Sequence, residues 1–374
     1  MKAKRILLIG GGHTHIEVIR QYPRVFSGLN TELVLVSPEP GSAYSGMMPG
    51  VVAGHYHLDQ ILINLPALCE ASGVVWHQGR FVALEPGQNA VRLADGHTIG
   101  FDYLSFDIGS VPSVAGIEGR GARDAMLWGA KPVIPFIDAW ERFLAALQTT
   151  ESRVVTVVGG GVAGFELALA MHHRVQTLKE ESHCRWQLIS NSALLAGHNR
   201  LVRRYGRKAL KQAGFDCYWG ARLRKVEDEC LSLSDGRELK SHFTVLCTPA
   251  GPVQNLSDCD LPLNQDGFIP VNEYLQVIGH ENMFAVGDIA GFPQPLAKAG
   301  VYAVRQGPIL TANLRNIVQG KPLNPFSPQH RFLKLITLGR QDAMASRGWL
   351  YAHGAWVWRW KNQIDSSFME KYQR

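Results

Sequence analysis

Val154-Val155-Thr156-Val157-Val158-Gly159-Gly160-Gly161-Val162-Ala163-Gly164-Phe165-Glu166 reads as five β-branched residues, a glycine turn and the opening of a helix. In Gly159-x-Gly161-x-x-Gly164 the first glycine permits the tight turn and the second lets a phosphate approach the backbone. The third lets helix and strand pack closely, and the helix N-terminus offers free N–H donors. The bare alternative is a glycine-rich strand–helix corner without a ligand. A second apolar strand is expected over residues 186–189, which completes a βαβ unit able to bind a dinucleotide.

The N-terminus follows the same grammar: strand 5–9, Gly10-Gly11-Gly12, helix 14–19 and strand 33–36. Gly10 and Gly12 fit, but the third glycine position is His15, so helix and strand must stand further apart or the imidazole must turn outward. Two such units predict an α/β fold with two Rossmann-like domains. The second strands end in Ser37-Pro38-Glu39 and in Ser190-Asn191, an acid slightly late and then neither acid nor base, which leaves NADH against NADPH open. Arg200, Arg203, Arg204 and Arg207 form either a solvated helix face or a phosphate-binding one. Residues 91–93 and 231–233, with turns Asp95-Gly96 and Asp235-Gly236, read as hairpins. Residues 283–286 read as a strand ending in Gly287-Asp288, and a long helix is expected over about 297–318.

The 374 residues are 46% hydrophobic and 19% charged, which excludes a disordered, collagen-like or coiled-coil chain and suits two or three domains. Six scattered cysteines without a CxxC suggest reduced thiols rather than a disulfide framework. The apolar run 6–9 stops at glycines, too short for a secretory core, and the run 154–171 is broken by glycines and Glu166, unlike a membrane span. A cytoplasmic body is expected, possible peripheral contact with the inner face of the membrane aside. Of the formal net charge of +6, residues 331–374 carry +5, together with four of the nine tryptophans.

The two dinucleotide units, residues 101–110 and Met283-Phe284-Ala285-Val286-Gly287-Asp288 together resemble the FAD-dependent pyridine nucleotide–disulfide oxidoreductase superfamily over residues 1 to about 320. Cys247-Thr248-Pro249-Ala250-Gly251 is similar to the ATG-type turn of its NAD(P)H fold, whereas Asp107 stands where the family usually has a small residue. The resemblance implies an FAD domain at 1–125 and 262–330, an inserted NAD(P)H domain at 126–261 and a small α/β interface module at 331–374. It assigns FAD contact to Gly10, Gly12, His13, Thr14, Ser37, Pro38, Glu39, Ser45, Gly46, Met47, Phe81, Asp107, Ile108, Gly109, Gly287, Asp288, Lys298 and Ala299. NAD(P)H contact falls to Gly159, Gly161, Val162, Ala163, Gly164, Glu166, Ser190, Pro249, Ala250 and Gly251.

No cysteine lies in residues 41–50, so dithiol chemistry at that place is excluded. The resemblance then narrows to the type II NADH dehydrogenases. Residues 10–15, 44–50, 298–306 and 358–365 look like the NADH dehydrogenase-like flavoproteins encoded with, or fused to, selenophosphate synthetase. It implies hydride transfer from NAD(P)H to flavin N5, onward transfer to a quinone or other small acceptor, and a link to selenium metabolism. Lys298 would set positive charge beside the flavin, Glu166 would lie near the nicotinamide or simply favour the helix dipole, and Lys131 would reach the flavin edge or serve as a linker residue. A different reading is a non-catalytic flavin-binding scaffold or sensor supporting a selenophosphate synthetase. His13, His15, His55 and His57 form two H-x-H pairs without further ligands, so no metal is expected. Nucleic acid ranks last as a partner. The alternation Trp356-Val357-Trp358-Arg359-Trp360 suggests a strand that packs its tryptophans over the flavin or at a homodimer interface, with membrane contact as the alternative.

Overall fold

The computed structural model describes residues 2–85, 87–119, 126–147, 152–178, 184–253, 256–294 (the side chain at 257 apart), 296–329 and 332–373. Pro295, the positions at the expected junctions 125 and 330–331, and Arg374 lie outside them.

Each glycine turn leaves the middle strand of a five-stranded parallel sheet. The first runs in the order Met283–Ala285, Tyr103–Phe106, Lys4–Ile9, Thr31–Ser37 and Val75–Gln78. The second runs Leu127–Gly129, Phe243–Leu246, Val154–Val158, Arg185–Ser190 and Phe215–Trp219. Both faces of each sheet are covered, which is why the central strands are continuous apolar runs rather than alternating ones. Ile6, Leu7, Leu8, Val155 and Val157 are fully buried. Ile6 and Leu8 share a core with Val155 and Val157, whereas Leu7 and Ile9 pack on the other face against Phe106 and Met283. The first sheet is closed by Met283–Ala285, a strand that follows the whole second sheet in the chain.

Two antiparallel three-stranded sheets sit on these units, one from Phe81–Glu85, Ala90–Leu93 and Thr98–Gly100, the other from Leu223–Glu227, Cys230–Leu233 and Glu238–Lys240. Helix His13–Val25 packs on helix Gly300–Val318. The approach is close enough that a Cβ at Gly307 would stand 2.7 Å from the Cβ of Glu17.

One open alternative is settled and two expectations change. The imidazole of His15 turns inward: it is buried between turn and strand, with Nδ1 2.7 Å from Gly10 O and Nε2 2.8 Å from Ser105 Oγ. The ring fills the gap that a third glycine would have closed. The long helix starts at Gly300 rather than 297, because Ala299 is its extended N-cap.

The tail is strands Lys334–Leu338, Arg340–Arg347 and Leu350–Gly354 followed by helix Ala355–Glu370, so Trp356, Trp358 and Trp360 are helical. The tryptophan alternation is not what the helix buries. Its inner face is Val357, Lys361, Asp365, Phe368 and Met369, spaced at three and four residues. Nor do the tryptophans cover the first glycine turn: Trp349, Trp356 and Trp360 are 82%, 52% and 40% exposed.

Candidate functional site

The second glycine turn has an open cradle. Gly159 adopts φ +129°, and a Cβ there would lie 2.2 Å from Cys247 O; one at Gly164 would lie 1.9 Å from Gly159 O. Those two glycines are therefore required by the fold alone. Gly161 differs: it is exposed and nothing stands within 4 Å of the place a Cβ would take. Space ahead of a helix N-terminus fits a phosphate. Val162 begins the helix Val162–Leu178, and Ala163 is exposed beside it. Ser190 is buried at the end of its strand, its hydroxyl donating to Ser192 O at 3.0 Å, and neither it nor the exposed Asn191 supplies a charge. Trp219, which sequence reasoning missed, stands 3.5 Å from the Cβ position of Gly160. Ala250–Gly251 pair with Val111–Pro112, so the turn containing Pro249 joins the two units.

At the first turn Gly10, Gly12, His13, Thr14, Asp107, Ile108, Gly109, Lys131 and Asp288 converge. Gly10 has φ +92°, and a Cβ would meet Asp107 O at 2.4 Å and Ile108 Cγ2 at 2.9 Å. Asp288 accepts from Ser110 at 3.0 Å and from Lys131 Nζ at 2.7 Å. Burial pushes its carboxyl up, but Lys131 and the Ser110 hydroxyl outweigh that and hold it below the usual range. Lys298 folds over the Phe268 ring, 4.0 Å from its centroid, and donates to Ala290 O at 2.5 Å. Burial brings it down to about 8 against the opposing pull of Asp288 and Asp266.

His13 Nε2 is sealed from solvent without a hydrogen-bond partner, among rings of Tyr44 at 5.5 Å and Phe368 at 5.8 Å. Its pKa falls to about 4, through burial first and Lys131 second, so the ring is neutral. An orphaned buried nitrogen beside Asp288 and the open Gly109 fits a polar cofactor. Phe81 packs edge-on to Phe106 at 5.3 Å, and the Ser37 hydroxyl donates to Glu39 O at 3.0 Å at the outer end of its strand. Pro38 lies between these last two, and Met47 is buried behind Ser45 and Gly46.

Glu166 does not face the opening at Gly161. It is buried under the C-terminal sheet, where Thr337 N and Oγ1 donate to Oε1 at 2.7 and 2.9 Å. Thr337 in turn lines a cleft with Gly46, Tyr56, Arg340, Trp358 and Lys361. Lys361 Nζ donates to Gly46 O at 2.7 Å and to Asp365 Oδ2 at 2.5 Å, and Tyr44 Oη donates to Asp365 Oδ1 at 3.2 Å. Burial raises both Glu166 and Asp365; Lys361 draws them down, and Asp365 raises Glu166 further. One line of contacts thus runs from His13 through Tyr44 and Asp365 to Lys361, which lines the same cleft as Thr337, the donor to Glu166. Sequence reasoning missed Lys361, Asp365, Thr337 and Phe368 as site residues. The available signal was an oppositely charged i,i+4 pair on the apolar stripe of a helix.

The chain matches the description "Pyridine nucleotide-disulphide oxidoreductase" over residues 4–307. It is 27% identical over 291 residues to the human ferroptosis suppressor protein 1, covering 74% of this chain and 72% of that one. It is 28% identical over 356 residues to the Arabidopsis thaliana mitochondrial internal alternative NAD(P)H-ubiquinone oxidoreductase A1, covering 84% and 67%. Among solved structures, the sulfide:quinone oxidoreductase of Aquifex aeolicus superposes with a TM-score of 0.83 at 19% identity, over 99% of this chain and 92% of that one. NDH2 of Plasmodium falciparum, solved with NADH, gives 0.82 at 12% identity over 100% and 99%.

Proposed function

The chain belongs to the pyridine nucleotide-disulphide oxidoreductase family, and on that premise we propose that it is an FAD-dependent NAD(P)H dehydrogenase passing electrons to a quinone or similar small acceptor. The observation that carries this reading is the run of contacting side chains from the first glycine turn at His13 through Tyr44 and Asp365 to Lys361 in the cleft. When bound, the flavin supplies two-electron acceptance and release; the protein supplies geometry and charge.

In this reading the amides around Gly161 bind the coenzyme pyrophosphate. Asp288, held by Lys131 and Ser110, accepts hydroxyls of the flavin side chain, and His13 Nε2 makes a neutral hydrogen bond to the same cofactor. Lys298 places a cation at that end. In the cleft, Lys361 donates to the acceptor's oxygen, and Glu166 and Asp365, both pushed up by burial and drawn down by Lys361, lie behind it. The test is anaerobic. FAD-loaded protein mixed with NADH or NADPH is expected to lose its visible flavin band and to regain it on addition of a short-chain quinone. Persistence of the band with both coenzymes would refute the enzyme reading and leave a flavin-binding scaffold.

Lys361→Met is expected to slow the quinone-dependent return of the band about tenfold, the equivalent of one charged hydrogen bond, and to leave the bleaching step within about twofold. Equal loss of both steps would make Lys361 a packing residue only.

Among the described residues no helix is long and apolar enough to cross a membrane. The exposed face of Trp356, Trp360 and Ile364, with Trp349 and Leu350 at the neighbouring hairpin, supports peripheral contact with an anionic lipid surface, where an apolar acceptor would dissolve. Trp358 of the same helix lines the cleft. Co-sedimentation with phosphatidylserine vesicles is expected for the full chain and to fall at least about tenfold in Trp356→Ser/Trp360→Ser. No binding by the unaltered chain would overturn it. The likeness of residues 10–15, 44–50 and 298–306 to flavoproteins encoded with selenophosphate synthetase supports that enzyme as a partner and selenium compounds as acceptors to screen beside quinones.

A further inference from the structure

The two cradles are built alike and filled differently. Gly161 looks into open space, whereas a Cβ at Gly12, the equivalent glycine, would stand 2.1–2.3 Å from all three carboxyl atoms of Asp107. That carboxylate already holds the helix N-terminus. Its Oδ2 accepts from Thr14 N at 2.9 Å and His15 N at 3.3 Å, while Asp107 O accepts from Gly12 N at 3.2 Å. Its Oδ1 presses on the other wall, 2.3 Å from the Cβ position of Gly287.

We propose that Asp107 is a proton-controlled occupant of the first cradle, so that the phosphate-bearing cofactor is held tightly when Asp107 is neutral and loosely when it is ionised. The inference rests on the reading of this turn as the FAD site. A pyrophosphate brought to these amides meets a buried carboxylate competing for the same donors and repelling the same charge, with little solvent to screen either. A neutral Asp107 relieves the repulsion and can donate to a phosphate oxygen.

Among the described residues the surroundings give that carboxylate hydrogen-bond donors but no ion pair of its own. Thr14 offers its backbone N–H and, less strongly, a hydroxyl that also donates to Ala303 O, His15 offers its backbone N–H, and the His15 and His13 imidazoles, both lowered to about 4, are neutral. Gln306, whose Oε1 accepts from Gly287 N at 2.6 Å, is uncharged. Asp288 adds a like charge, and the cation nearest it, Lys131, is paired to Asp288 itself. Lys298 is engaged with Ala290 O and Phe268. Burial, reinforced by Asp288 and opposed by the two N–H groups and the Thr14 hydroxyl, brings the Asp107 carboxyl up to about 7 without a ligand. An added anion pushes it higher, so binding takes up a proton and weakens as pH rises past that value.

The test is equilibrium titration of the flavin-free full chain with FAD, read by flavin fluorescence, from pH 6 to 9. For the unaltered protein the FAD dissociation constant is expected to rise with pH, approaching tenfold per unit at the alkaline end, the limit for one proton. Riboflavin, which lacks phosphate, is expected to bind with no such slope. Asp107→Asn, isosteric and uncharged, is expected to flatten the FAD curve and to bind more tightly than the unaltered chain at pH 9. A flat FAD curve in the unaltered protein, or the same slope with riboflavin or with Asp107→Asn, overturns the proposal while leaving the FAD reading intact. Failure of FAD to bind at every pH overturns both.

Discussion

His15→Gly, which would complete the GxGxxG spacing of the first turn, is expected to destabilise the protein by about 3–5 kcal/mol rather than improve it. The ring is fully buried, and its surroundings determine its protonation state. Gly10 O can only accept, so Nδ1 carries the proton; burial keeps the imidazole neutral, so Nε2 accepts from the Ser105 hydroxyl. Removing it leaves a cavity and two buried polar atoms without partners, a carbonyl and a hydroxyl. The helix cannot settle into the gap. Thr14 Oγ1 is tied to Ala303 O at 2.8 Å, and the Asp107 side chain is wedged between Gly12 and Gly287. Urea denaturation of the two proteins checks the figure. A variant as stable as the unaltered chain would show that the helix does drop onto the strand, as it does where a third glycine is present.

His15 also shows where sequence reasoning stops. Both parallel sheets and their glycine turns were legible because a strand covered on both faces must be apolar throughout, and because Gly159 and Gly164 have no room for a side chain. A missing glycine announces a gap but not what fills it: of the two outcomes open for His15 the chain took the wider spacing, with the ring turned inward to two polar atoms that only the folded chain brings near. Asp107 is a similar case. Its departure from the family pattern was visible, but its place across the first cradle depends on the register of Tyr103–Phe106 against Lys4–Ile9.

The tail misled for a physical reason. Three tryptophans at alternate positions outweighed the helical stripe of Val357, Lys361, Asp365 and Met369, two of whose members are charged. Buried charge is rare enough that a stripe containing it does not read as an inner face. Here the charges are internal because they answer one another and the carbonyl of Gly46. The helix that was expected to be a strand is therefore the element joining the first turn to the cleft. Phe368 covers His13, Lys361 and Trp358 line the cleft, and Asp365 holds Lys361 from behind.

The end of that helix is fastened by one carboxylate, and Glu17→Gln is expected to release it. Glu17 sits in the helix of the first glycine turn with its side chain nearly inaccessible. It accepts from Arg20 at 2.8 Å, Gln21 at 2.5 Å and Tyr372 Oη at 2.8 Å, and pairs with Lys371 at 2.8 Å. Burial alone would push its carboxyl up. Hydrogen bonds from Arg20, Lys371, Tyr372 and Gln21 outweigh this and bring it to about 2, below the ordinary 4.5. A carboxyl depressed in the folded state stabilises above its unfolded pKa and loses that contribution as pH falls through the folded one. The shift corresponds to about 2–3 kcal/mol, reduced from its face value because Arg20 and Lys371 are each about a third or more exposed. Glu17→Gln is thus expected to cost about that much at pH 6–8, with the gap to the unaltered protein closing steadily below pH 4.5. Because Tyr372 also packs on Phe368 at 5.0 Å, the loss should loosen the cover over His13, read as faster hydrogen exchange in residues 365–373 at pH 7 than at any site in the second sheet. A stability gap that stayed constant from pH 7 to 3 would mean that Glu17 acts by shape, and that the C-terminal helix is held by its apolar stripe alone.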